Sequence, residues 1–217
     1  MIREVDINEI SDGKRYKAND LVKISCNDCA GCSECCKDMG KSIVLDPYDV
    51  FALEKVTEKS FEELLVSSVE LNVVDGLILP NIKMQENSGA CIFLSEAGRC
   101  TIHNSRPGFC RLFPLGRIYE DGDFTYFYQI NECVYPDKSK IKVKKWLGIE
   151  RLSEYEKYIN HYHDLQKRFI SKFTSDTSEA VIKSINMMVL NKLFIEKYDL
   201  DGDFYEQYYE RCAQIIF

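Results

Sequence analysis

The sequence predicts an α+β protein: a small, irregular cysteine-rich region with short strands over residues 1–136, then a C-terminal helical layer over residues 137–217 packed on it. Three observations predict it. Nine of the ten cysteines fall between Cys26 and Cys133, so the two parts differ in composition. The middle of the chain carries short apolar, β-branched runs broken by turn residues. Beyond Pro136 the texture changes to long segments with apolar residues at three- and four-residue steps, as amphipathic helices require. With 217 residues, 45% of them hydrophobic and 12% aromatic, there is enough apolar material for one sizeable core, and one compact unit is expected.

The elements follow in order. Charges interleave with apolar residues at the N-terminus, which lacks the apolar centre of a signal peptide. Ile43-Val44-Leu45 is a short apolar run. Asp46-Pro47 reads as an N-cap followed by proline at the first helical position, which predicts a helix to about Lys55. Ser60 with Glu63 forms a capping box for a second helix carrying Phe61, Leu64, Leu65 and Val69 on one face. Residues 73–84 and 91–94 read as short, paired strands separated by the turn residues Asn87, Ser88 and Gly89. Residues 115–119 and 124–130 flank Asp121-Gly122-Asp123, a hairpin signal because Asp-Gly readily adopts positive φ.

Helical patterns then cover residues 153–173, 175–198 and 204–217. In the first, Tyr155, Tyr158, Ile159, Tyr162, Leu165, Phe169 and Phe173 share a face and are expected in the core. The acidic stretch Asp199-Leu200-Asp201-Gly202-Asp203 resembles a calcium loop only in part. The EF-hand needs its glycine at position 6 and a glutamate at position 12, so a helix-linking turn is the better reading.

A net charge of −7 and a pI near 5.1 argue against a nucleic-acid partner, which needs a clustered basic surface. The lysines at 138, 140, 142, 144 and 145 are read as a solvated strand or helix edge. No window is apolar for long enough to cross a bilayer. A cytoplasmic protein with no membrane partner is expected, in a compartment that keeps thiols reduced. Ten cysteines there read as ligands or redox groups rather than as a disulfide framework.

Between Cys26 and Cys36 the chain reads C-N-D-C-A-G-C-S-E-C-C, five cysteines in eleven residues. Cys-x2-Cys spacing lets two thiolates turn back onto one ion, with loop N–H groups aimed at the sulfurs. Cys26, Cys29, Cys32 and Cys36 match the spacing of a bacterial ferredoxin run, with Lys37 where that run has proline. Cys35 and Cys36 are adjacent, so they point in different directions, which suggests two metal centres or one centre plus a spare thiol. Downstream, Cys91, Cys100, Cys110 and Cys133 each lie near Gly89, Gly98, Gly108 or Pro136. Loop placement leaves their thiols free to converge on the N-terminal run, and four such positions together read better as ligands than as four buried thiols.

These residues carry a family resemblance. Cys29-Ala-Gly-Cys32-Ser-Glu-Cys35-Cys36, Gly89-Ala-Cys91-Ile-Phe-Leu, Gly98-Arg-Cys100-Thr-Ile-His103 and Arg106-Pro-Gly-Phe-Cys110-Arg-Leu-Phe-Pro114 resemble the YkgJ-type CxxCxxCC cysteine-cluster family, described as zinc- or iron-chelating domains. The resemblance covers about residues 23–136 and implies a metal-binding role. Flagellin lysine methylases carry a similar cluster, for which an iron–sulfur centre is implied. This chain is short for that activity and shows no glycine-rich loop for S-adenosylmethionine.

His103 stands three residues after Cys100, at ligand-like spacing, with a hydrogen-bonding or packing role as the alternative. His161 and His163 point to different helix faces and are expected at the surface. Arg106 and Arg111 bracket Cys110. They could donate to thiolates or hold an anion, or Arg106 could fix the loop through backbone carbonyls. No serine–histidine–acid set or phosphate loop is present, and Glu62-Glu63 reads as solvated charge.

Three functions follow for a protein whose partner, protein or small molecule, the sequence does not name. The first is a metal-binding cysteine-cluster protein holding an iron–sulfur cluster or thiolate-bound iron, with a redox or accessory role. The second is a structural zinc module without catalysis. The third is a protein-modifying enzyme related to the flagellin lysine methylases. The adjacent cysteines and the ferredoxin-like run favour iron over zinc.

Overall fold

The computed structural model describes residues 6–26 and 32–215. A short helix α1 (Ile7–Ile10) opens the chain, and the strands pair as three antiparallel ribbons. These are β1 (Leu21–Ser25) with β6 (Ser139–Lys142), β2 (Val69–Val74) with β3 (Leu77–Ile82), and β4 (Leu115–Glu120) with β5 (Asp123–Tyr128). Short strand pairs beside separate helices make the chain α+β, as expected.

Both capping boxes form. In α2 (Pro47–Thr57) the Asp46 carboxylate accepts from Asp49 N–H at 2.9 Å, and that of Asp49 accepts from Asp46 N–H at 3.1 Å. In α3 (Phe61–Ser67) Ser60 and Glu63 do the same at the surface. Phe61 and Leu64 are buried on that helix. Val69 is also buried, but as the first residue of β2, because the helix ends at Ser67.

The run 73–84 is not one strand. Asp75 (φ 51°) and Gly76 (φ 88°) both take the left-handed conformation and fold it into the β2–β3 hairpin. The chemistry is the one recognised at Asp121 (φ 53°) and Gly122 (φ 76°), where the expected β4–β5 hairpin closes. Residues 91–94 form no strand either: Cys91 makes an isolated bridge with Met84, and Leu94 makes one with Cys100.

The β1–β6 ribbon joins the segment just before the cysteine run to the segment just after Cys133, with Leu21 opposite Lys142 and Lys23 opposite Lys140. Val22 and Ile24 face inward and are buried. Lys140, Lys142, Lys144 and Lys145 are exposed, the last two on α5 (Val143–Leu147). Lys138 is half-buried and donates to the Cys133 carbonyl at 2.6 Å.

The C-terminal layer comprises α6 (Leu152–Ile170), α7 (Glu179–Leu190) with a π-helical continuation Asn191–Ile195, and α8 (Phe204–Ala213). The acidic linker is a turn: the Asp203 carboxylate caps α8 by accepting from Tyr205 and Glu206 N–H. Tyr155, Tyr158, Ile159, Tyr162, Leu165 and Phe169 are buried along α6. Tyr158 packs against Tyr48, Tyr155, Tyr162, Phe204, Tyr205 and Tyr208, with its edge-on contact to Tyr208 at 4.7 Å. The buried residues from Tyr16 to Ile215 form one continuous cluster. Among the described residues no helix is long and apolar enough to cross a membrane.

Candidate metal centre

One cavity of about 100 Å³ is lined by eight cysteines: Cys26, Cys32, Cys35, Cys36, Cys91, Cys100, Cys110 and Cys133. Cys29 lies outside the described residues. Cys212 is elsewhere, on α8 beside Tyr208.

Local structure explains the convergence. The β1–β6 ribbon sets Cys26 at its end, with Cys133 a few residues before β6. Glu34–Cys36 forms a 3₁₀ turn, and the chain after it is joined to the segment around Gly89. Cys91 N–H donates to the Cys36 carbonyl at 2.7 Å, and Asp38 N–H donates to the Gly89 carbonyl at 2.8 Å. Gly89 (φ 64°) is required there, since a Cβ would run into the Asp38 carboxylate. A turn at Ser95–Gly98 brings Cys100 back beside Leu94, with Thr101 N–H donating to the Phe93 carbonyl at 2.8 Å. Cys110 sits on the one-turn helix α4 (Gly108–Leu112), whose first N–H donates to Asp49 Oδ1 at 2.7 Å.

Cys36, Cys91, Cys100 and Cys110 lie close enough to feel one another's charge. A hydrogen bond from Cys35, helped by Arg106 and Lys37, lowers the Cys36 thiol to about 7. Burial, with repulsion from Cys36 and Cys100, pushes Cys91 up to about 11. Burial also raises Cys100, and it raises Cys110 well above the usual thiol value. The backbone N–H groups of Phe93 and Ile102 donate to the sulfurs of Cys91 and Cys100 and favour their thiolates, as N–H groups do around bound metal. Among the described residues no three Cys, His, Asp or Glu side chains are already gathered around a single point, so closing on an ion takes side-chain rotation within the cavity.

The two arginines separate. Arg111 fixes the loop, donating to the carbonyls of Arg106 at 3.0 Å, Leu147 at 3.3 Å and Asn104. Arg106 lines the cavity, its guanidinium 3.3 Å from His103 Nδ1 and nearer to Nε2, while its buried Nε has no hydrogen-bond partner among the described residues. His103 lines the cavity too.

His161 and His163 are half-buried rather than at the surface. The first lies 3.0 Å from the Tyr208 hydroxyl, and the second stacks on Tyr119 at 3.6 Å, because α6 packs under both α8 and the β4–β5 hairpin. Sequence reasoning missed the apolar wall from Phe93, Phe109, Phe113 and Trp146, and the role of Asp49. An aspartate at the third position of a capping box was the available signal for Asp49. Nothing in the local sequence marks Trp146.

A cavity lined by many thiols and few carboxylates suits zinc, thiolate-bound iron or an iron–sulfur cluster, and disfavours calcium or magnesium. That donor set defines the class, a binder of thiophilic metal. The sequence model of the CxxCxxCC family, described as a putative zinc- or iron-chelating domain, matches residues 28–142. The chain belongs to this family, which supports metal binding, and the matched segment ends on the last residue of β6. No curated protein and no solved structure matches the chain.

Proposed function

We propose that the cavity holds iron, as an iron–sulfur cluster or as thiolate-bound iron, and that the protein serves a redox or accessory role. The observation that carries this is the ferredoxin-like run, whose Cys26, Cys32 and Cys36 line one cavity together with the adjacent Cys35. Ligand number is common to both metals, since eight thiols would equally fill two tetrathiolate zinc sites. Cys36, Cys91, Cys100 and Cys110, which line the cavity from separate segments and feel one another's charge, form the first ligand set in this reading. Cys26, Cys32, Cys35 and Cys133, together with Cys29, supply a second set.

When bound, such a group supplies one-electron chemistry. The rest is done by the chain. Phe93, Phe109, Phe113 and Trp146 supply an apolar wall beside the sulfurs. Arg106 offsets thiolate charge near Cys36 and Cys100. The N–H groups of Phe93 and Ile102 hold two sulfurs in place.

Zinc is the competing reading, because the family description names it and one four-thiol set would suffice. The test is anaerobic purification followed by visible absorption and by iron, sulfide and zinc content per chain. A brown protein that bleaches on reduction, and loses its iron in the Cys91→Ser/Cys110→Ser variant, is expected. Colourless protein holding zinc, and taking up neither iron nor sulfide on reconstitution, would replace this reading with structural zinc.

A further inference from the structure

We propose that Asp49 is a positioning residue for Cys110, and that through it the helical layer sets how tightly the thiol cavity grips metal. The inference rests on the reading of Cys110 as a ligand. The chain has two capping boxes of the same design, and their difference is informative. Ser60 and Glu63 cap α3 at the surface. Asp46 and Asp49 cap α2 from inside the protein, where Asp49 is only 4% exposed. Burying a carboxylate is costly unless hydrogen bonds replace its water.

Capping occupies one oxygen of Asp49, Oδ2, at 3.1 Å from Asp46 N. The other oxygen, Oδ1, accepts from Gly108 N–H at 2.7 Å, across 59 positions of sequence. Pro107 has no N–H, so Gly108 offers the first donor of α4, and Cys110 follows two residues later on the same turn. A Cβ at position 108 would run into the Tyr155 hydroxyl and lie 3.5 Å from Asp49 Oδ1, so the close approach depends on glycine. On the far side, Asp46 accepts from the Tyr158 hydroxyl at 2.9 Å, and that hydroxyl accepts from Tyr48 N–H at 3.1 Å. The half-buried Arg117 donates to the Tyr155 hydroxyl at 3.3 Å. Tyr155 and Tyr158 both lie on α6, so a chain of packed polar contacts runs from the helical layer through the two aspartates to the backbone beside Cys110.

Cadmium(II) is a suitable probe because its thiolate charge-transfer absorption reports binding whatever the native metal is. Reduced full-length protein is titrated with cadmium(II) against a competing chelator, and melting is followed by circular dichroism on the same samples. Asp49→Ala is expected to weaken the tightest cadmium site about 10- to 100-fold, the usual effect of losing an outer-shell partner. Asp49→Asn, which keeps an acceptor oxygen for Gly108, should recover most of that loss. Ser60→Ala should lower the melting temperature and leave cadmium binding unchanged. If Asp49→Ala does not fold, Gly108→Ala displaces the same loop and should weaken binding likewise. Wild-type affinity in Asp49→Ala, or in Gly108→Ala, while Cys110→Ser is weakened would overturn this inference alone. Wild-type affinity in Cys110→Ser would overturn the ligand reading and this inference together.

Discussion

The thiol cavity and the C-terminal helical layer solve the same problem in opposite ways. In the helical layer, rings pack directly on one another: Tyr158 meets six other rings, and Tyr48 stacks on Tyr205 at 5.8 Å. Around the cavity the elements include a five-residue helix, two three-residue 3₁₀ turns and loops, and of its described cysteines only Cys26 and Cys91 are buried. Its side chains converge on a space rather than on each other. Packed aromatics give a core complete in itself, whereas converging thiols give one that a bound metal completes.

Stripping the metal should break this comparison most forcefully. Structural thiolate sites contribute on the order of 10 kcal/mol to folding. Chelation under reducing conditions is expected to abolish amide-exchange protection over residues 84–114 while α6 keeps most of its own. Equal loss along the whole chain would show that the two regions are one cooperative unit.

The converse change is Phe204→Ala, which empties a site walled by Tyr48, Phe51, Tyr158 and Tyr198 and should cost about 3–5 kcal/mol in denaturant unfolding. Metal content per folded chain at saturating metal should not change, any loosening through Tyr158 showing in affinity alone; a proportionate fall would mean that the cavity depends directly on that packing. A smaller effect, about 1 kcal/mol, is expected from Asp203→Ala, which removes the cap of α8. Thermal melting with metal analysis would detect it, and metal loss at constant helicity would contradict the separation.

The smallest effect concerns pH. Burial holds the His161 and His163 imidazoles below their ordinary value of 6.5. The unfolded chain therefore binds protons first, so their stabilisation is complete above that value and is lost as pH falls through it toward the lower folded-state value. Melting temperatures measured from about pH 7.5 down to about pH 5.5 should decline, and His163→Phe, which keeps a ring against Tyr119, should flatten part of that slope. Identical slopes in the two proteins would remove His163 from the account.

What the sequence made legible was local. Asp46-Pro47, Ser60 with Glu63, Asp121-Gly122 and the periodic tyrosines of α6 each carry their own geometry within a few residues, and each formed where expected. Asp75-Gly76 carries the same signal, but it sits within a stretch whose β-branched residues on both sides read as strand. Nine cysteines could be assigned to one region because thiols are rare and conspicuous, and the eight of them that are described line one cavity. Their grouping could not, because it depends on the β1–β6 pairing and on the bridge of Lys37 to Ala90, contacts between segments far apart in sequence. The second oxygen of Asp49 belongs to the same long-range class.

The β1–β6 ribbon also imposes an order of assembly. It closes a loop of about a hundred residues, at an entropic cost on the order of 4 kcal/mol that falls on the ribbon rather than on any thiol. During synthesis at ordinary rates, roughly ten seconds separate the emergence of Cys36 from that of β6. In that interval the N-terminal thiols are available while Cys91, Cys100, Cys110 and Cys133 are still being added one by one. The ribbon can pair only once residue 142 is made, so the cavity gains its full set of described thiols after every one of its walls has been synthesised.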